Sequence, residues 1–320
     1  MGSKALVRPP KLENGSRISL VAPAGPLVER DDVARAAELC RALGYVPTVA
    51  PHALDKYGYL AGGDDARLAD LNQALASPDV DGVWCVRGGY GITRLLGSVD
   101  FAGFARHPKP VIGFSDITAL LVALRQETGV VTFHGPTARG SMPAFTRRHF
   151  ERVVARAEPG GALERLPAAA DVLVPQRDRI VALREGVADG PLTGGNLTLL
   201  QCLLGTPFAP DLDGAILFIE DVGEEVYRID RMLAHLRLAG LLARAAGVAV
   251  GRFTEVGRRG ADGVIGLEEV LETYLAPLGV PVAWGFPIGH IDDQWTLPLG
   301  VRARLDAGSG TLELLEAAVS

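Results

Sequence analysis

The sequence predicts an α/β fold with two domains: an amino-terminal, doubly wound, mainly parallel sheet and a carboxyl-terminal mixed β/α domain. Its 320 residues are about twice the usual length of one domain. From residue 17 onward, short apolar runs alternate with amphipathic stretches, which is typical of βα units on a parallel sheet. Residues 137–178 then mix proline, glycine and charge without a sustained period. We therefore predict domains at 1–150 and 179–320, joined by a partly helical linker at 151–178.

The first predicted domain consists of strands that alternate with helices. Apolar runs predict strands at 18–22, 46–49, 82–86, 111–113 and 130–133. Amphipathic stretches predict helices at 31–43, 64–75 and about 115–127. The first helix has acidic residues in its first turn and Gly44 directly after its last turn, which are start and stop signals.

The second predicted domain is more mixed. Apolar runs predict strands at 180–183, 215–219, 247–251 and near Val282. A turn is predicted at TGGN, residues 193–196, and helices are predicted from there to Leu204, at about 227–238 and at 267–278. Near the end of the chain, alternating residues on both sides of Gly308-Ser309-Gly310 predict a hairpin.

Composition limits the possible partners. The formal net charge of −6 argues against nucleic-acid binding, which needs a basic face to neutralise phosphates. The three cysteines form no CxxC pair, so neither a disulfide framework nor a zinc site is predicted. The sequence contains no apolar run of signal-peptide or membrane-helix length. We therefore expect a soluble, cytoplasmic protein that acts on a small molecule or peptide and binds neither nucleic acid nor membrane.

A serine lies at the corner between a predicted strand and a predicted helix. In VIGFSDITALL, residues 111–121, Ser115 and Asp116 separate two apolar runs. One explanation is a capped helix, with Ser115 as the N-cap and Asp116 in the first turn. The other is a nucleophile on a tight turn, where the next amide helps to stabilise an oxyanion. Ile117 breaks the G-x-S-x-G pattern of α/β-hydrolases, so this segment leaves both explanations open.

A serine nucleophile needs a histidine base and an acid that orients the imidazole. Two of the six histidines follow predicted strands, namely His290 in GFPIGHIDDQWTLPLG and His134 in TFHGPT. His235 lies within a predicted helix and is expected at the surface. Glu220 and Asp221 follow the most apolar short strand and are either structural caps or site residues. Pattern alone leaves the choice of base and acid open.

Two consecutive glycines follow the third predicted strand, in WCVRGGYGITR at 84–94. Gly88 and Gly89 allow backbone amides to approach a ligand closely. Neither this stretch nor APAGP after the first strand has the G-x-G-x-x-G spacing of a dinucleotide site, so no cofactor is predicted. An oxyanion-hole strand end and a plain tight turn both remain possible explanations.

Seven stretches, taken in order, resemble the LD-carboxypeptidase family of serine peptidases, which includes muramoyltetrapeptide carboxypeptidases and the microcin C self-immunity branch. They are VAPAGP (21–26), DLNQALASPDVDGVWCVRGGYG (70–91), IGFSDIT (112–118), FHGP (133–136), TGGNLTLL (193–200), LFIEDVGEEVYRIDRML (217–233) and GFPIGHIDDQWTLPLG (285–300). The resemblance extends from about residue 17 to the end of the chain.

The resemblance implies a Ser-His-Glu triad at Ser115, His290 and Glu220. It also implies an oxyanion hole formed by the backbone amides of Gly89 and Asp116. The implied activity is release of the terminal D-alanine from murein tetrapeptides through an acyl-enzyme, in peptidoglycan recycling. A homodimer is implied as well, and neither a metal nor a cofactor is expected.

An exopeptidase must also recognise a free terminal carboxylate, for which arginine is well suited because it can donate two parallel hydrogen bonds. The candidate substrate-binding residues are Arg87, Gly88, Tyr90 and Arg228. Arg231 is a further candidate of the same kind. Each arginine could instead pair with neighbouring acids.

Three other functions stay open. An immunity-type hydrolase of the same family would cleave aminoacyl-nucleotide antibiotics, and a nucleobase would favour an aromatic platform. Residues 135–195 contain neither Trp nor Tyr, which favours the murein peptide. A non-catalytic two-domain module could hold a peptide in its cleft. A metallohydrolase could use His290, Asp292 and Asp293, although the sequence lacks an HExxH motif.

Overall fold

The computed structural model describes residues 4–29, 31–167, 179–257 and 265–320 of the chain. These residues form α-helices and two β-sheets. The strands are β1 (Arg17–Val21), β2 (Val46–Val49), β3 (Gly82–Cys85), β4 (Val111–Gly113), β5 (Thr132–His134), β6 (Gly161–Ala162), β7 (Val181–Arg184), β8 (Val187–Asn196), β9 (Ile216–Val222), β10 (Gly247–Thr254), β11 (Val282–Trp284), β12 (Leu297–Leu299), β13 (Arg302–Asp306) and β14 (Thr311–Leu314). The α-helices are α1 (Asp31–Ala42), α2 (Asp64–Ala76), α3 (Phe101–Arg106), α4 (Thr118–Thr128), α5 (Ala144–Val154), α6 (Leu197–Cys202), α7 (Val226–Leu238) and α8 (Leu267–Leu275). Residues 168–178 of the predicted linker lie outside the described residues. No helix within the described ranges combines the length and the apolar character that a membrane crossing needs.

The first sheet has the spatial order β12-β5-β4-β3-β1-β2. Its first five strands along the chain are parallel, and β3 and β4 are buried along their whole length. Burial of this kind is typical of parallel sheets whose faces are covered by helices. The order reverses between β1 and β3, and doubly wound sheets bind ligands at the carboxyl ends of the strands at such a point. The topology therefore directs attention to the loops after β1, β3 and β4.

The second sheet has the spatial order β6-β14-β13-β8-β9-β10-β11-β7. Its central strands β8 to β11 are parallel, whereas the strands at both edges pair antiparallel. The predicted hairpin is formed by β13 and β14, with Asp306 opposite Thr311. A mainly parallel first sheet and a mixed second sheet confirm the predicted fold class.

One strand crosses between the two halves. β12 lies late in the chain but pairs antiparallel with β5 of the first sheet, with Leu297 opposite His134. The connection at 285–296 between β11 and β12 therefore passes from the second sheet to the first, and it carries His290. α5 also continues past residue 150. The predicted domain limits stay a prediction.

The prediction of a turn at TGGN, residues 193–196, is wrong. These residues form the end of β8 and pair with β9, with Gly194 opposite Phe218. A Cβ atom on Gly194 would lie 1.9 Å from the carbonyl oxygen of Phe218, and one on Gly195 would lie 2.5 Å from Thr118 Cγ2. The glycines thus allow a close approach between neighbouring elements, which composition alone does not distinguish from a turn.

The predicted strand at 215–219 is too short. β9 continues to Val222, so Glu220 and Asp221 lie inside the strand instead of after it. Successive side chains of a strand point to opposite faces of the sheet. The two acids therefore have different surroundings, although they are neighbours in the sequence.

Candidate active site

Ser115 lies in the turn between β4 and α4. Phe114 continues the extended backbone of β4, Ser115 has a φ of 64°, and a 3-10 turn leads into α4. Such a positive φ is uncommon outside glycine, costs on the order of 1–3 kcal/mol and is found most often at functional sites. No described residue hydrogen-bonds the Ser115 hydroxyl, and no side chain caps this turn. The N-cap explanation of Ser115 is therefore wrong.

The paired glycines after β3 pack directly against this corner. A Cβ atom on Gly88 would lie 2.8 Å from Cβ of Ser115 and 3.1 Å from its Oγ, so a larger residue would displace the serine. Gly89 has a φ of 113°, and a Cβ atom there would lie 2.8 Å from Cα of Gly25. The amide of Gly25 donates to the carbonyl of Gly88 at 2.9 Å. The loops after β1 and β3 therefore meet beside Ser115.

A buried carboxylate faces an imidazole at the same edge. Glu220 is completely buried, and its Oε2 lies 2.8 Å from Nδ1 of His290. Burial raises the pKa of Glu220, and the hydrogen bond with His290 opposes that shift. Because a carboxylate only accepts hydrogen bonds, this contact places the proton on Nδ1 and leaves a lone pair on Nε2. Such a His290 can act as a base through Nε2.

His290 also lies close to the serine corner. Its ring contacts the ring of Phe114, with 4.7 Å between the centroids, and its side chain is 20% exposed. Phe114 directly precedes Ser115 in the chain. No hydrogen bond joins Ser115 to His290 among the described residues, and such bonds often form only once substrate is bound. The structure thus gathers the predicted hydroxyl, imidazole and carboxylate in one region, while their catalytic roles stay predictions.

The competing acid and base have other environments. Asp221 accepts hydrogen bonds from Asn196 Nδ2 at 2.9 Å and from the amide and hydroxyl of Thr198 at 2.9 and 2.8 Å, so it holds the start of α6. His134 is completely buried, and neither ring nitrogen is hydrogen-bonded to a described residue. Burial, with a smaller effect of His290, lowers the pKa of His134 to about 3. The geometry favours Glu220 over Asp221 and His290 over His134.

Two buried side chains fix the loops around Ser115. Asp116 Oδ2 accepts a hydrogen bond from the amide of Ile92 at 2.9 Å. Arg67 donates to the carbonyl of Pro23 and, at 3.3 Å, to that of Gly91, so it links the loops after β1 and β3. Sequence reasoning missed Arg67. The signal was its position on the buried stripe of α2, where an arginine needs hydrogen-bond partners.

The buried carboxyl of Asp116 makes stability depend on pH. Burial raises the pKa of Asp116 from 3.8 to about 6. The folded protein therefore holds an extra proton between about pH 4 and 6, and the contribution of this group to the free energy of unfolding falls as pH rises through that window. Asp116→Asn removes this dependence but keeps an oxygen for the Ile92 amide. We subtract the free energy of unfolding of the wild type from that of the variant and expect this difference to increase by up to about 3 kcal/mol from pH 4 to pH 7.

Urea unfolding at several pH values between 4 and 7 measures this difference. Asp292→Asn is the control, because Asp292 is exposed and its backbone, not its carboxylate, makes the described hydrogen bond. A difference between Asp116→Asn and wild type that stays constant with pH would contradict the assigned titration.

Arg87 belongs to an arginine cluster beside the paired glycines. Its guanidinium is partly buried and donates to the carbonyl of Pro26. Burial lowers the pKa of Arg87, and the nearby charge of Arg139 lowers it further. Arg139, which sequence reasoning missed, lies 3.5 Å from the carboxylate of Asp32. Because Asp32 also binds Arg35 at 2.6 Å, one buried carboxylate is shared by two arginines.

The other predicted substrate-binding side chains are exposed. Tyr90 is half exposed, and its ring meets that of Tyr59 edge to face with 5.4 Å between the centroids. Arg228 and Arg231 lie over the ring of Tyr227 at 6.0 and 5.3 Å from its centroid. These side chains are accessible to a ligand, and their substrate-binding roles stay predictions.

No observation supports the metallohydrolase alternative. In the part of the chain that the structure describes, no group of three His, Cys, Asp or Glu side chains is arranged to hold a metal ion. The imidazole of His290 is bonded to Glu220, and the described contact of Asp292 is made by its backbone carbonyl, which accepts from Thr146.

Two family models match the chain in succession. The model of the LD-carboxypeptidase N-terminal domain matches residues 18–135, and that of the LD-carboxypeptidase C-terminal domain matches residues 189–305. Each match contains part of the site, because the first includes Ser115 and the second includes Glu220 and His290. The two family matches, in the order of the two sheets, place the chain in the peptidase class.

Known proteins are similar over nearly the whole length of the chain. The "Probable murein peptide carboxypeptidase" of Bacillus subtilis is 36% identical over 318 residues, which are 98% of this chain and 95% of the relative. The murein tetrapeptide carboxypeptidase of Pseudomonas aeruginosa is 36% identical over 298 residues, covering 91% and 93% of the two chains. The solved muramoyltetrapeptide carboxypeptidase of Oxalobacter formigenes has a TM-score of 0.79 and 33% identity, covering 93% and 98%. The chain belongs to the LD-carboxypeptidase family.

A second branch of relatives shares the fold. The microcin C7 self-immunity protein of Escherichia coli is 28% identical over 281 residues, which are 81% of this chain and 80% of the relative. A solved structure of the microcin C7 self-immunity protein has a TM-score of 0.88 and 24% identity, covering 98% and 100% of the two chains. At this identity the structural likeness shows the fold alone.

Proposed function

We propose that this chain is a serine LD-carboxypeptidase that releases the terminal D-alanine from murein tetrapeptides. The observation that carries the proposal is the contact between the buried Glu220 carboxylate and His290 Nδ1, beside the strained corner at Ser115. A hydroxyl, an imidazole and a carboxylate are the three groups of an acyl-transfer triad. The names of the relatives from Pseudomonas aeruginosa and Oxalobacter formigenes support the murein peptide as substrate.

The proposed reaction proceeds through an acyl-enzyme. Ser115 Oγ attacks the carbonyl carbon of the L-configured residue that precedes the terminal D-alanine, and His290 Nε2 takes the hydroxyl proton. The amides of Gly89 and Asp116 donate hydrogen bonds to the oxyanion. The C–N bond then breaks, and the imidazolium gives its proton to the leaving amine of D-alanine. Water repeats the sequence on the ester, which frees the shortened peptide and restores Ser115.

Glu220 stabilises the charge that forms on the imidazole. Once His290 has taken the serine proton, the imidazolium lies 2.8 Å from a fully buried carboxylate, where water screens the attraction little. Burial raises the pKa of Glu220, which means that the lone carboxylate is poorly solvated. Formation of the imidazolium relieves that cost, so the interaction strengthens as the reaction proceeds.

Arg87 and Arg139 are the proposed partners of the terminal carboxylate. Arg87 is carried on the same loop as Gly88, which packs against Ser115. The guanidinium of Arg87 donates to a backbone carbonyl, while Arg139 shares the carboxylate of Asp32 with Arg35. A carboxylate of the substrate would neutralise this partly buried charge through bidentate hydrogen bonds. Tyr90 and Arg228 stay substrate-binding candidates without a specific assignment.

The second candidate function is a microcin C-type immunity hydrolase that cleaves aminoacyl-nucleotide antibiotics. One observation favours it: Tyr90, directly after the paired glycines, is exposed and meets the exposed ring of Tyr59 edge to face, which offers an aromatic surface for a nucleobase. A non-catalytic peptide-binding module is a third candidate.

Mass spectrometry of the reaction products tests the proposed function. The purified chain is incubated in parallel with a murein tetrapeptide, the same peptide with a carboxyl-terminal amide, and an aminoacyl sulfamoyl adenylate. We expect release of D-alanine from the free acid, with the amide at least about tenfold slower because its carboxylate is missing. Cleavage of the adenylate alone would move the assignment to the immunity function. Three intact substrates, together with no labelling of Ser115 by a serine-directed phosphonate, would favour a binding module.

The homodimer and the place in peptidoglycan recycling stay predictions from the family resemblance, and the cytoplasmic location stays a prediction from the sequence.

A further inference from the structure

The loop that carries His290 is held from both halves of the molecule. It leaves the second sheet after β11 and enters the first sheet at β12. On the side of the second sheet, the amide of Arg252 in β10 donates to the carbonyl of Ile288 at 2.9 Å. A Cβ atom on Gly289 would lie 2.7 Å from Glu220 Oε2, so the chain passes very close to the carboxylate. The position of the imidazole therefore depends on how the rest of this loop is fixed.

Thr146 fixes the loop directly after His290. This residue lies in α5 and is 1% exposed. Its hydroxyl donates to the carbonyl of Asp292 at 2.9 Å and accepts from the amide of Gln294 at 3.0 Å. A helical threonine commonly bonds to its own helix, whereas this hydroxyl joins two backbone groups about 146 residues further along the chain. The only hydroxyl of Thr146 is thus committed to the loop.

A second contact holds the end of the loop. The indole Nε1 of Trp295 donates to the carbonyl of Glu164 at 2.8 Å, and its ring packs against Phe286 with 5.6 Å between the centroids. Phe286 and Trp295 lie four and five residues from His290, whereas Thr146 bonds to Asp292, two residues from it. Among the described side chains outside the loop, Thr146 therefore forms the hydrogen bonds that lie nearest to His290 in the residues that follow it.

We infer that Thr146 is a positioning residue for the proposed base: its hydroxyl holds residues 292–294 so that His290 keeps Nδ1 on Glu220 and aims Nε2 at Ser115. The inference rests on the proposed function in that it takes His290 as the base. Helix α5, which comes directly after β5 along the chain, thereby sets the orientation of a histidine in the second half of the chain. Displacements of about 1 Å in such a group lower rates by about 10²-fold.

Thr146→Val tests the inference, because valine has nearly the same shape but cannot form either hydrogen bond. We expect kcat on the murein tetrapeptide to fall about 10- to 100-fold, with KM changed less than about twofold, since the substrate contacts are intact. The rate at which a serine-directed phosphonate labels Ser115 should fall by a similar factor. Thr146→Ser keeps the hydroxyl and should remain within about threefold of wild type in both measurements.

Thr132→Val is the matched control. Thr132 is also completely buried, and its hydroxyl donates to the carbonyl of Leu121 in α4 at 3.0 Å and not to the His290 loop. Thr132→Val should lose about as much thermal stability as Thr146→Val while retaining the labelling rate of wild type. Should Thr146→Val fail to fold by circular dichroism, Thr146→Ala replaces it and is judged by the same comparison with Thr146→Ser.

The outcomes separate this inference from the proposed function. A wild-type protein that is labelled at Ser115 but leaves the tetrapeptide intact would contradict the proposed substrate, and the labelling rates of the variants would still test Thr146. Equal labelling rates in folded Thr146→Val and Thr132→Val would overturn the inference. So would a serine variant as slow as the valine variant, because the hydroxyl would then not be the cause.

Discussion

Replacing Ser115 with alanine is expected to lower kcat on the murein tetrapeptide by about 10⁴-fold or more while the fold stays intact. The hydroxyl oxygen is the proposed nucleophile, and no neighbouring group among those described could take over the attack in the same position. Alanine keeps the Cβ atom and therefore the same strain at a φ of 64°, so the free energy of unfolding should change by less than about 1 kcal/mol. Steady-state kinetics and circular dichroism on the same preparation measure both quantities.

The control for this variant is Ser98→Ala. Ser98 is exposed at the end of a short 3-10 turn, and its described contact uses the backbone carbonyl, which accepts from Asn72. This variant should retain both activity and phosphonate labelling. Activity in purified Ser115→Ala close to that of wild type would refute the nucleophile, and with it the triad.

Glu220→Gln is expected to lower kcat by about 10³- to 10⁴-fold. A glutamine has the same size, but its amide can donate to Nδ1 of His290, which favours the imidazole tautomer with the proton on Nε2. That tautomer cannot take the serine proton, and the neutral amide does not stabilise an imidazolium. Because burial raises the pKa of Glu220, removal of its charge should leave the thermal stability equal to or above that of wild type. The variant should therefore lose activity without losing thermal stability.

Asp221→Asn is the matched control, since it changes the neighbouring buried carboxylate on the other face of β9. Asp221 accepts from Asn196 and Thr198, so its loss should lower the free energy of unfolding by about 1–3 kcal/mol. The kcat of the folded protein should stay within about threefold of wild type. Equal losses of kcat in the two variants would show that the strand, and not the Glu220–His290 contact, is what matters.

Local pattern was sufficient for much of the fold. Short apolar runs and amphipathic stretches located β1 to β5 of the first sheet and the helices α1, α2 and α4 to within a few residues, because each βα unit follows the period of its own side chains. Ser115 was recognised as a corner residue for the same reason. Helix α3 and strand β12 were not predicted. The TGGN stretch failed because a glycine in a turn and a glycine at a close approach look alike in sequence. Its role in β8 becomes apparent only beside Phe218 and Thr118.

What the sequence determined by itself was the family, the order of the α/β units and the motifs that carry a hydroxyl, an imidazole and several acids. These depend on residue type and on spacing over short distances along the chain. Which of those groups meet depends on the folded chain. Glu220 and not Asp221 faces His290, although the pair is 70 residues apart, and Thr146 holds the same loop from 146 residues away. Contacts of this range depend on how two sheets pack and on which side of a strand each residue faces, and no local period encodes either.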